Sequence, residues 1–206
     1  VKKYYLLSLI ILLSCARSYR SVSIREIFNQ KKKVRSLWWK GKICIRTSKN
    51  ELSGNILVLA KKNPLLVRIE ISNWISGTIL CGFIKERNFL FISPKERRVY
   101  VGEIPEDIGK EEIWTLIRTI PLNADVIFKG DEIVFFHRPI KIVFKNAASS
   151  ENIAFSKRID AYYLPRHITL HFEIKKIFFN RNIPSQLFNP KIPPNFQILR
   201  YQIPTL

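Results

Sequence analysis

The chain has 206 residues, of which 47% are hydrophobic and 12% aromatic, so it carries enough apolar material for one packed domain; disorder and a collagen-like fibre are excluded. Lys and Arg outnumber Asp and Glu by 35 to 16, a formal charge of +19, which points to a polyanionic partner. Only 7 glycines occur and none forms a phosphate-cradling loop, which argues against a nucleotide-driven enzyme.

Lys2 and Lys3, the run Tyr4–Leu13 and then Ser14 and Cys15 have the layout of an export signal. At ~1.5 Å per residue such a run covers about half of a ~30 Å hydrocarbon core, so it is too short to span comfortably. Leu12-Leu13-Ser14-Cys15 resembles the bacterial lipobox, which implies a diacylglycerol on the Cys15 thiol and cleavage before it. The alternatives are a plain secretory signal or a buried Cys15 in an N-terminal helix. Ala16, rather than Asp, follows Cys15, which under the sorting rule of such lipoproteins implies the outer membrane. Residues 1–14 are thus expected to be a signal, 15–21 a tether and 22–206 one domain. Removing the signal takes away two lysines and no acids, leaving +17. Behind such a signal the natural partners are anionic headgroups rather than nucleic acid. The same compartment leaves Cys44 and Cys81 either paired or as two buried thiols.

Ser23 and Glu26 form a capping box, and Ile24, Ile27, Phe28 and Val34 follow a helical stripe, which predicts a helix over 22–35. The pattern then turns to period two, with strands expected at 37–46, 52–60, 65–72, 78–86, 88–93 and 97–102. Connections this short leave no room for crossover helices, so the sheet is antiparallel. Ile113, Leu116, Ile117 and Ile120 predict a second helix over 111–120, ended by Pro121. Strands resume at 131–137, 140–145, 152–156, 158–163 and 166–179. In the last, the apolar phase shifts after Lys175-Lys176, as an inserted bulge residue or a strong strand bend would make it do. The tail, with Pro184, Pro190, Pro193, Pro194 and Pro204, is unfit for a central strand and is expected along an edge. The fold class is mainly β (α+β): a strongly curved antiparallel sheet forming an unclosed barrel, its concave face covered by the two helices.

Three segments resemble the LolA/LolB-like lipoprotein carrier and receptor superfamily. They are Leu37-Trp38-Trp39-Lys40-Gly41-Lys42-Ile43, the strand–turn–strand from Arg68 to Thr78, and the closing stretch from Ile183 to Pro194. The resemblance implies an unclosed barrel, lidded by helices, that holds acyl chains in a hollow. Trp74-Ile75 stand where the receptor branch has a Pro-Leu pair, and the central region is poorer in helix than is usual.

Val67, Ile69, Ile71, Ile142, Phe144, Leu170, Phe172 and Ile174 are the candidate wall of an acyl cavity, since they are apolar and free of charge; they would serve equally as a dry core. Trp74 and Ile75, at a hairpin tip, form a candidate exposed apolar loop for lipid or a partner, the alternative being Trp74 tucked under a neighbouring strand. His167 and His171 have helical zinc spacing but lie in a strand, ~13 Å apart, and no metal or other cofactor is expected. The carboxylates Glu106-Asp107, Glu111-Glu112 and Asp131-Glu132 fall at turns and helix starts. No nucleophile–base pattern is found, so no enzyme is expected. Lys31-Lys32-Lys33, Lys61-Lys62 and Arg97-Arg98 are candidate headgroup contacts. The expected function is a monomeric, membrane-anchored periplasmic lipoprotein. It would bind acyl chains or lipoproteins and assist their reception or localisation at the outer membrane. The alternative is a structural or interaction envelope lipoprotein with a filled barrel.

Overall fold

The structure, a computed structural model, describes residues 20–21, 34–104, 110–118, 126–129, 132–137, 140–151 and 153–200. The signal, Cys15 and the helix expected at 22–35 lie outside these residues, except that Val34 and Arg35 are described and are irregular.

The described residues contain thirteen strands in one mixed sheet. In chain order they are β1 (Arg20–Ser21), β2 (Ser36–Arg46), β3 (Glu51–Lys61), β4 (Leu66–Asn73), β5 (Gly77–Lys85), β6 (Asn88–Ser93) and β7 (Arg98–Glu103). A helix, α1 (Lys110–Arg118), follows, and then β8 (Val126–Lys129), β9 (Glu132–His137), β10 (Ile140–Ser150), β11 (Ile153–Tyr163), β12 (Ile168–Phe179) and β13 (Gln197–Arg200). The spatial order is β13-β7-β6-β5-β4-β3-β2-β12-β11-β10-β9-β8, with β1 beside β10, so β13 and β8 are free ends and the curved sheet is unclosed. Two antiparallel meanders, β2–β7 and β8–β12, thus meet at one seam, where β2 pairs with β12 from Arg46↔Thr169 to Leu37↔Phe179.

Side chains alternate across the sheet, and the face with the largest core is called inner here. Cross-strand rows build it: Phe179, Leu37, Ala60, Val67 and Ile84 form one, and Ile174, Gly41, Ile56, Ile71 and Leu80 another. Ile113 and Trp114 of α1 are buried in the same core, with Ile117 packed against it. The phase shift in β12 is a bulge between Ile174 and Lys176, so Ile174 and Ile177 both reach the inner core. At that bend the strands nearly touch: a Cβ on Gly41 would lie 2.0 Å from the Glu173 carbonyl oxygen, so only glycine fits.

The tail does more than run along an edge. Ile183 and Phe188 cover Leu59 on the outer face, and Phe196 packs on the outer cluster of Phe83, Ile92 and Val99. The chain then ends as β13, parallel to β7. Three strand expectations change. The stretches 152–156 and 158–163 are one strand, β11, because Lys157 continues the strand as an exposed residue instead of breaking it. β10 runs to Ser150 instead of stopping at 145, and β8, too short to show a period, was not foreseen. Cys44 and Cys81 are both free thiols, and burial pushes the Cys81 thiol up.

Candidate functional site

The eight residues expected to line a cavity come from β4, β10 and β12 and occupy the inner face of one sheet. Val67, Ile71, Ile142, Phe144 and Ile174 are buried in its core, Ile69 and Phe172 pack against it half-buried, and Leu170 is half-buried. The central strands between them supply Trp39, Ile43, Ile56 and Val58, which the eight omitted although the same alternation runs through 37–46 and 52–60. Phe172 meets Trp39 edge-on, with ring centroids 6.4 Å apart. The wall carries two polar hydrogens: the indole Nε1 groups of Trp39 and Trp114 are buried with no hydrogen-bond acceptor among the described residues. Each such donor costs ~1–3 kcal/mol unless something accepts from it.

The β4–β5 hairpin tip is rigid and greasy. Asn73 Oδ1 accepts hydrogen bonds from the Ile75 amide at 3.1 Å, the Ser76 amide at 2.6 Å and the Ser76 hydroxyl at 2.7 Å. Gly77, at φ +66°, completes the turn in the left-handed region. So held, Trp74 is 90% exposed and Ile75 76% exposed. Leu52 and Leu164, at the same end of the sheet, also expose apolar side chains.

Beneath that tip, on the outer face, lies an open groove of about 700 Å³. By strand alternation its floor takes Lys42 and Cys44 from β2, Asn55 from β3, Arg158 from β11 and His171 and Glu173 from β12; Trp74 and Ile75 form one wall. Next to it Asp160, its side chain 2% exposed, places Oδ1 2.7 Å from His171 Nδ1 and 3.3 Å from Arg158 Nε. Its Oδ2 is 3.4 Å from Lys145 Nζ. Burial pushes this carboxyl up, but hydrogen bonds from His171 and Arg158 and the charge of Arg158 outweigh burial and hold it below the usual carboxylate range.

Cys44, His171 and Asp160 share one cross-strand row. The Cys44 thiol donates to Glu51 Oε1 at 3.3 Å, and Glu51 is held by Arg46 at 2.7 Å. The thiol hydrogen is thus engaged by a carboxylate. Glu173 is paired with Lys175. Sequence reading missed this groove because it weighed His171 only as a metal ligand paired with His167. The available signal was Asp160 inside the apolar alternation Ile159–Ala161.

No protein-family model matches the chain, and no curated protein matches it. Solved structures do. A DUF1329 family protein from Desulfovibrio piger superposes with a TM-score of 0.56 at 7% identity, over 81% of this chain and 92% of that one. A LolA superfamily protein from Nitrosomonas europaea gives 0.48 at 12% identity, over 82% and 99%. A domain described as an outer membrane lipoprotein-sorting protein, from Vibrio parahaemolyticus, gives 0.49 at 6% identity, over 81% and 93%. The chain shares its fold with the first of these. The unclosed, mostly antiparallel sheet is the architecture which the sequence resemblance implies.

Proposed function

We propose that the protein is an envelope lipoprotein, anchored through acyl chains on Cys15, that holds the acyl chains of a lipid or lipoprotein against the inner face of its sheet. One observation carries this reading: an apolar core on the inner face that contains two buried indole donors, Trp39 and Trp114, with no acceptor among the described residues. A saturated chain alone would leave those donors unpaired, whereas the ester or amide carbonyl of an acyl group accepts from them while its methylenes lie along Val67, Ile71, Phe144 and Ile174. Each buried methylene is worth about 0.8 kcal/mol, so a long chain is held without covalent chemistry. Release needs only a bilayer of comparable affinity, and Trp74 and Ile75 are the side chains that would touch it. In this reading the protein is monomeric, faces the periplasm, helps to receive or place lipoproteins at the outer membrane, and meets anionic headgroups through its excess of Lys and Arg.

The test is a full-length Cys15→Ser form purified without detergent, denatured and extracted for mass spectrometry. Co-purified acyl chains in near-stoichiometric amount are expected. A protein free of lipid would overturn the reading and leave the alternative, an interaction lipoprotein with a filled core.

A further inference from the structure

The outer-face groove has no part in holding acyl chains against the inner wall, yet its chemistry is specific. Its floor places two cations, Lys42 and Arg158, beside the His171 imidazole, whose Nδ1 is engaged by Asp160. Asp160 is met by His171, Arg158 and Lys145, Lys145 also by Glu132, Glu173 by Lys175 with Lys42 directly opposite, and Glu51 by Arg46, so cations outnumber acids around the groove. Asn55 adds an exposed amide, and the wall is the apolar pair Trp74-Ile75. One side of the groove thus suits a phosphate and the other an acyl interface, within a single opening of about 700 Å³.

The neighbouring charges point the same way. Lys145 and Arg158, opposite each other, are bridged by Asp160, whereas Lys40 lies directly opposite Lys176 on the adjacent strand. Like charges so placed repel, and an anion laid over the face relieves them.

We propose that this groove is a headgroup site: it receives the phosphodiester of an anionic phospholipid while Trp74 and Ile75 enter the acyl boundary beside it. The site orients the molecule on the bilayer by its outer face, with the hairpin tip down. It rests on the membrane-facing part of the reading above, and not on the inner wall being occupied.

The test is flotation of the full-length Cys15→Ser protein with phosphatidylcholine vesicles, with and without phosphatidylglycerol. Binding is expected only where phosphatidylglycerol is present, with a blue shift of Trp74 emission that Trp74→Phe removes. Lys42→Gln with Arg158→Gln should lower the partition coefficient about twentyfold, whereas Lys85→Gln with Lys191→Gln, an equal loss of charge elsewhere, should change it less than about threefold. Asn55→Glu, which leaves the Asp160 network intact, should weaken binding as much as the double variant. Equal losses in the groove and control variants would show diffuse attraction and overturn the proposal. So would displacement of the protein by inorganic phosphate at matched ionic strength, because the site would then take a free anion. Mass spectrometry of acyl chains in the groove variants reads the inner wall separately: retained chains with lost flotation support the site without touching the other reading. Absent chains with flotation intact would overturn the carrier function alone.

Discussion

Alternate residues of the same strands build two unlike surfaces. On β12, Phe172, Ile174 and Ile177 face a core that spans the sheet and takes in α1, while His171 and Glu173, one residue away, belong to a charged groove. On β3, Val58 lies in that core while Leu59 is sealed from outside by Ile183 and Phe188 of the tail. The inner face is apolar over the central strands; the outer face is divided between a stretch covered by the tail and a stretch left polar. A period of two, its phase reset by the bulge in β12, is enough to separate a grease-lined wall from an ion-lined one on the two sides of one sheet.

The comparison is broken most severely from the inside. Phe144→Ala empties a site that is 1% exposed, and a loss of about 3–5 kcal/mol in urea unfolding is expected. A loss below ~1 kcal/mol would mean that the wall is already loosely filled. Phe188→Ala acts on the outer seal: about 2 kcal/mol, with amide exchange rising first in residues 183–200 and not in β2–β4.

Next comes the buried carboxylate. Because Asp160 titrates below its unfolded value near 3.9, its contribution is complete above that pH and is lost as pH falls through the lower folded value. Asp160→Asn should therefore cost about 1–2 kcal/mol at neutral pH and flatten the acid limb of the stability profile below about pH 4, read by denaturant melts across pH. The smallest effect sharpens the contrast most. Trp39→Phe removes a buried donor that has no acceptor among the described residues while keeping a ring, so stability should move by less than about 1 kcal/mol while acyl retention drops several-fold.

Much of the first meander was legible because each of its strands buries one face only. Val67, Ile69 and Ile71 alternate with Arg68, Glu70 and Ser72, and the structure pairs them in that phase. The bulge in β12 was legible for the same reason, as a slip in phase. Pairing partners were not: nothing local in Ile43 or Phe172 tells that they lie opposite each other. The outer groove was hidden because its members come from β2, β3, β11, β12 and a hairpin tip, and only the seam brings them together. The tail's cover over Leu59 and Val99 was hidden too, since proline-rich sequence signals what it avoids and not where it lies.

The seam between β2 and β12 governs how this molecule comes into being. A chain emerging from the ribosome in order completes the β2–β7 ladder while β2 still presents a bare row of amides and carbonyls, and its mate, residues 168–179, arrives only after β8–β11. Contacts so distant in the chain form slowly, and a ribbon with one sticky edge and one oily side invites capture by other polypeptides in the interval. Nascent molecules of this design should depend on a chaperone until the final turn of synthesis, and then lock shut in a single concerted event.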